Sequence, residues 1–310
     1  MVKKRKSSGS ASSNDTKVAV VVLGLFTLAI LFFWILPKHK AAPKPRPVPV
    51  EPAEPIEMTK PIKRLKPVRP IYIHRETSPE PVENLSGSGG RIAFIIDDWG
   101  QSTANCRYLK DIPEPIAVSI LPGLRHTKDV ANCTATNHKL AMLHLPLEAL
   151  HNYDFYPPNY IIKTSMKPSL ASKILDDDLA QLPSIEGVNN HMGSKATEDK
   201  PLMKLIFKRI KKQGLFFIDS MTAHNTVCAA LADEIGISFG KRDVFLDNVN
   251  TREAIVKQIL VLAQKARHRG YAVAIGHDRH LTMQVIKDEI PWLEKQGFQI
   301  VSIKDLLKKS

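Results

Sequence analysis

The chain has 310 residues, and its 44 lysines and arginines outweigh 31 aspartates and glutamates to give a formal charge of +13. Much of that excess lies in Lys3-Lys4-Arg5-Lys6 and in the bases between Lys38 and Arg75; no nucleic-acid-binding motif accompanies it, so it does not read as a nucleic-acid footprint. The cysteines Cys106, Cys133 and Cys228 are widely spaced and form no CxxC pair, so no cysteine zinc site or disulfide framework can be read from them, and small buried apolar residues are the expectation.

Residues 1–17 form a basic tail. From Val18 to Leu36 the chain is mostly apolar, a run of about 19 residues, the length that crosses a bilayer as a helix. Trp34 stands near one end, as interfacial aromatics do, and the preceding bases place the N-terminus in the cytoplasm and the rest on the outer, periplasmic side. A cleaved signal peptide is the rival; only Ala41-Ala42 approaches a cleavage site, so an uncleaved single-pass anchor is the expectation. Residues 37–89 are a proline-rich linker in which Pro43, Pro45, Pro47 and Pro49 alternate, a composition that favours extended chain and buries no core. Ser86-Gly87-Ser88-Gly89-Gly90 marks the boundary of a domain over 90–310.

Within that domain strand-like and helix-like segments alternate. Strands are predicted at 91–96, 116–121, 139–144, 186–190, 215–218, 236–239, 271–276 and 298–302, and helices near 103–110, 125–137, 169–181, 200–213, 224–235, 251–268 and 282–296. Asn250-Thr251-Arg252-Glu253 resembles a capping box, and Gly214, Gly236, Gly270 and Gly297 each fall where a helix ends and a strand begins. The repeated junction implies a parallel sheet with outer helices, either a complete or slightly irregular barrel or an open doubly wound sheet. No GxGxxG or P-loop supports a nucleotide site.

Titratable residues close successive strand patterns: Asp97-Asp98 after Ile92–Ile96, His144, His191, Asp219 and His277. Active sites of β/α barrels sit at that end of the sheet. A divalent cation, with zinc suited to nitrogen and oxygen donors, needs about three protein ligands. Asp98, His144 and His191 offer them, with Glu148 close behind His144; Asp97 remains as a base and His277 as an acid. Each alone has a plainer reading, a hydrogen-bonded structural histidine or a helix-capping aspartate. Trp99, Tyr153, Phe155 and Tyr156 could line the cleft mouth or simply pack the loops.

The stretches Ile95-Ile96-Asp97-Asp98-Trp99-Gly100, Leu143-His144-Leu145-Pro146-Leu147-Glu148, Gly187-Val188-Asn189-Asn190-His191-Met192-Gly193-Ser194, Phe216-Phe217-Ile218-Asp219-Ser220 and Ile275-Gly276-His277 together resemble the divergent polysaccharide deacetylase family, a branch of the NodB-type carbohydrate esterases. The resemblance implies a distorted (β/α)7-type barrel, here preceded by one transmembrane helix and the linker. It implies a metal-dependent hydrolase that removes acetyl groups from an N-acetylated envelope polysaccharide. By analogy Asp97 is the general base, Asp98 a metal ligand with His144, and His277 the leaving-group acid. Asn190 and Asp219 are further candidates for the site. The superfamily's His-x-x-x-His reads His144…Glu148 here, so either His191 substitutes in space or Glu148 ligates directly. Two more departures stand out. Met221 follows Asp-Ser where an arginine is common, and Asp278-Arg279-His280 follow Gly-His where prolines are common. Lost charge near the base would alter its pKa, which keeps open an inactive module that binds glycan or an envelope protein. A third reading makes the anchor and stalk the working parts of a scaffold.

Overall fold

The computed structural model describes residues 89–151 and 156–307. The expected tail, anchor and nearly all of the linker lie outside the described residues, as do Tyr153 and Phe155. Among the described residues no helix is long and apolar enough to cross a membrane.

The strands are β1 (Gly90–Trp99), β2 (Ala117–Ile120), β3 (Leu140–Leu147), β4 (Gly187–Met192), β5 (Phe216–Asp219), β6 (Phe239–Lys241), β7 (Val244–Phe245), β8 (Tyr271–His277) and β9 (Phe298–Ile300). Between them run α1 (Cys106–Asp111), α2 (Thr127–Thr136), α3 (Pro168–Gln181), α4 (Lys200–Lys212), α5 (Cys228–Ile235), α6 (Arg252–Arg269) and α7 (His280–Lys295), with α8 (Ile303–Leu306) after β9. The predicted cap of α6 forms, with the Thr251 hydroxyl accepting from Ala254 N at 3.3 Å.

Ile92 to Ile96 are all buried because β1 is covered on both faces, the usual state of a parallel strand. Alternate residues serve different cores. Ala93 and Ile95 face inward to pack with Met142, Phe216, Ile218, Val273 and Ile275, and Ile303 of α8 joins them. Ile92, Phe94 and Ile96 belong to the larger apolar layer shared with the helices.

The strands pair in the order β6-β5-β4-β3-β2-β1-β8-β7, and every pairing is parallel. The two ends of that path, β6 and β7, are joined by only Arg242-Asp243. Three peptide steps reach at most about 11 Å, so the sheet must curl until its edges nearly meet. The result is a distorted barrel left unclosed between β6 and β7, and the open doubly wound alternative is excluded. Eight strands make up this path, against the seven-type barrel expected. The additional strand, β7, is two residues long, too short to leave a periodic signal in the sequence. The predicted final strand does not extend the sheet beyond β8. Instead β9 pairs Gly90–Ile92 of β1, below the stretch of β1 that pairs β2.

Several strands run further than their apolar patterns, among them β1 to Trp99, β3 to Leu147 and β4 to Met192. The alternation of apolar residues stops where side chains begin to face a polar cleft, but backbone pairing continues. His144 therefore lies inside β3 rather than at its end.

A buried carboxyl on α3 lacks a hydrogen-bond partner among the described residues. Asp178 of α3 is fully buried, and neither carboxyl oxygen has a hydrogen bond. Burial, reinforced by the negative charge of Asp177, pushes its carboxyl up to about 8. The folded chain thus keeps a proton that the unfolded chain releases above the ordinary carboxyl range, so this contribution to stability is intact in acid and lost as pH rises toward 8. Asp178→Asn should flatten that dependence. Urea unfolding should show the parent losing on the order of 3 kcal/mol more than the variant between pH 5 and pH 8; parallel losses would refute the assignment.

Candidate metal centre

The centre begins with a conflict in β1. Adjacent strand residues point to opposite faces, yet Asp97 and Asp98 both have polar partners on the cleft side. A register shift against β2 between Ile96 and Trp99 resolves it. Asp98 takes a left-handed backbone, φ +64°, which swings its carboxylate back over the strand ends. A non-glycine residue held at positive φ costs of order 1 kcal/mol or more and persists only where the surroundings enforce it.

Around Asp98 stand two imidazoles. Its Oδ1 lies 3.2 Å from His144 Nε2 and 3.0 Å from His191 Nδ1. Those nitrogens are 3.2 Å apart, and the three atoms lie within 4.8 Å of one another. In a tetrahedral site with bonds near 2 Å, ligand atoms sit about 3.3 Å apart. Asp98 Oδ1 is moreover buried without a directed hydrogen bond, the condition of an atom whose partner is a cation. One carboxylate oxygen and two imidazole nitrogens therefore fit a divalent ion. Burial opposes ionisation of Asp98, but the facing His144 and His191 outweigh it and hold the carboxyl far below its usual range.

The tautomer of His144 follows from its neighbours. Asp97 Oδ1 accepts from Asn189 Nδ2 at 2.8 Å, which fixes the Asn189 amide so that its oxygen faces His144. Asn189 Oδ1 then accepts from His144 Nδ1 at 2.9 Å and from the Ser119 hydroxyl. The Nδ1 hydrogen is committed, leaving Nε2 to face Asp98. Strand register makes this possible, since His144 pairs with Asn189 and Asp97 with His277 across neighbouring strands.

Asp97 is buried, and its Oδ2 lies 3.7 Å from His144 Nε2. Burial raises its carboxyl above the usual range, while His144, His277 and Asn189 only partly offset that. His277 Nε2 is 3.9 Å from Asp98 Oδ2. Its Nδ1 donates to Asp247 Oδ1 at 2.8 Å, and its backbone N donates to Asp247 Oδ2 at 3.0 Å. Asp247 also accepts from the Thr282 hydroxyl at 2.7 Å. Burial works against the charged imidazole, but Asp247 together with Asp98 and Asp97 raises His277 above its ordinary value.

Three candidates are held elsewhere. Glu148 spends its carboxylate on Thr164, through backbone N and hydroxyl at 2.7 Å each, and on Lys195 Nζ at 2.9 Å. It braces the loop after β3, and of the two sequence alternatives it is His191 that stands beside His144. Asn190 joins β4 to the loop after β5, accepting from Ser220 N at 2.9 Å and donating to Met192 O at 2.7 Å. Asp219 accepts from Met221 N at 2.8 Å and from the Thr226 hydroxyl at 2.7 Å. Tyr156 does reach the site, its ring centroid 5.6 Å from that of His191.

Other participants were not foreseen. Asn189 sat unremarked beside Asn190, and Asp247 follows the two-residue β7. Arg242 answers the missing arginine at 221. Its Nε and Nη2 donate to Ser220 O and Met221 O at 2.7 and 2.9 Å, so a guanidinium from the β6–β7 crossing holds the segment where Met221 stands. Burial lowers the Arg242 guanidinium, and the charges of Asp97 and Asp219 work the other way. The charge expected to be lost near the base thus comes from another element. Asp278, in place of a proline, donates its backbone N to Asp97 O at 2.8 Å, a bond no proline could make.

Metal analysis of the purified chain should find one bound divalent ion, lost in Asp98→Ala and His191→Ala and retained in Glu148→Ala. Retention in the first two variants would rule out the centre.

The model of the divergent polysaccharide deacetylase family matches residues 94–307. Uncharacterized protein YibQ of Escherichia coli (strain K12) is 29% identical over 205 residues, which cover 65% of this chain and 62% of that protein. The chain thus spans less than two thirds of that relative's length. An uncharacterized protein of Haemophilus influenzae is 27% identical over 209 residues, covering 66% of this chain and 72% of its own. The crystal structure of uncharacterized protein ATU2773 from Agrobacterium tumefaciens C58 superimposes with a TM-score of 0.67 at 19% identity, over 71% of this chain and 90% of that one, a likeness of fold. The family model covers well over half of the 310 residues, its stretch holds every residue of the Asp98, His144 and His191 cluster, and the chain belongs to the divergent polysaccharide deacetylase family.

Proposed function

We propose that the domain is a metal-dependent hydrolase that removes acetyl groups from an N-acetylated polysaccharide of the cell envelope. The observation that carries this reading is the gathering of Asp98, His144 and His191 around one point, with Asp97 and His277 beside it. Family membership supports the substrate class. Asp98, His144 and His191 would hold the ion, and their donor set suits zinc. When bound, such an ion polarises an acyl carbonyl and acidifies water.

The chain's own residues supply the proton transfers. Asp97, held in position by the Asn189 amide, takes the proton of the attacking water. His277, whose affinity for a proton Asp247 raises, gives a proton to the sugar amine as the carbon–nitrogen bond breaks. Acetate and a free amino sugar result. Asp247 is a positioning residue: it fixes which His277 nitrogen faces the cleft and favours the charged ring. The apolar run at 18–36 supports a membrane tether with the domain on the periplasmic side, where envelope glycans lie.

The full chain, loaded with zinc, should release acetate from N-acetylglucosamine oligomers or acetylated envelope glycan. Asp97→Asn should cut the rate about 10²–10⁴-fold while keeping its metal. A metal-loaded chain that releases no acetate, beside an active control deacetylase, would replace the hydrolase with a glycan-binding module. Asp247→Asn should move the alkaline limb of the rate–pH profile to lower pH, because without the carboxylate His277 loses its proton earlier. An unmoved limb would remove His277 from the acid role.

A further inference from the structure

Cys106 opens α1 and Cys133 lies in α2, 27 residues further along. The spacing shows no pairing, but α1 and α2 pack against each other and set the Cys133 side chain beside Cys106. Cys133 Sγ also lies 3.8 Å from Cys106 O. Both are half-buried free thiols, whereas Cys228 is fully buried in α5. The preceding residue, Asn105, donates Nδ2 to Asp278 Oδ1 at 2.7 Å, so this end of α1 is already tied to the segment after His277.

We propose that Cys106 and Cys133 are a disulfide-forming pair that links α1 covalently to α2, oxidised by a disulfide-bearing reagent or protein. The step balances as thiol–disulfide exchange. The two thiols surrender two protons and two electrons as the sulfur–sulfur bond forms, and the oxidant's disulfide takes them up and leaves as two thiols. The attacking species is a thiolate. Burial, together with the neighbouring Cys133, pushes the Cys106 thiol up to about 12, so exchange is slow at neutral pH unless catalysed. The link would close a loop containing β2 and restrain the unfolded chain. It would also anchor Asn105, and through it Asp278, beside the catalytic cleft. This pairing is independent of the hydrolase reading.

The test uses the native full chain incubated with oxidised glutathione at pH 8.5, followed by unfolding, alkylation and peptide mapping by mass. Two thiols should disappear, the intact mass should fall by two hydrogens, and the peptides of Cys106 and Cys133 should migrate as one until reduced. Cys228 should be recovered alkylated. Cys228→Ser should keep the link, and Cys106→Ser and Cys133→Ser should each abolish it without loss of folding. Three alkylated thiols in the oxidised parent, separate glutathione adducts on Cys106 and Cys133, or a link to Cys228 would each overturn the proposal.

Discussion

The site depends on how one strand accommodates two adjacent carboxylates in a barrel interior. A regular strand would send Asp97 and Asp98 to opposite faces and bury one of them against the helices, at a cost of several kcal/mol for an unpaired charge. The bulge and the left-handed Asp98 turn both toward the cleft. Once there, each carboxylate needs compensation that the apolar interior cannot provide. Asp97 finds it in Asn189, and Asp98 in the nitrogens of His144 and His191. The strain at Asp98 is held in place by these contacts, which would otherwise lose their partner.

A second layer fixes the first. Asn189 is bonded at both ends, to Asp97 and to His144, so the carboxylate of Asp97 and the ring of His144 are positioned by the same amide. Asp247 does the corresponding service for His277. Three carboxylates and amides that looked like site residues, Glu148, Asn190 and Asp219, act instead on backbone at the strand C-terminal ends. Their chemistry is that of turns, where short polar side chains satisfy amides that regular pairing leaves free.

The departures from the family pattern are compensated locally. Arg242 brings a guanidinium to the carbonyls of Ser220 and Met221 from the end of the neighbouring strand β6. Asp278 uses a backbone donor that a proline lacks to hold the carbonyl of Asp97. In both cases the replaced residue type differs, but the place is still occupied by a group that acts on β1 or on the segment after β5. This is why loss of a motif residue is weak evidence for loss of the site.

Apolar runs and helix-ending glycines were legible in the sequence, because a parallel strand covered on both faces needs continuous apolar residues and a helix end favours the left-handed backbone of glycine. They were enough for the order of elements and for the strands that carry Asp97, Asp98, His144, His191 and His277. Strand ends were not legible, since pairing persists where polar residues interrupt the apolar run; nor was β7, with two residues. Which polar residues meet was decided by tertiary structure alone. His191 stood in the ligand set with Glu148 as an alternative, and only the pairing of β3 with β4, which sets Pro146 against His191, brought His191 to His144 and left Glu148 to Thr164 and Lys195. Asn189, Asp247 and Arg242 owe their places to strand register and to the crossing between barrel edges, long-range relations that no local pattern encodes.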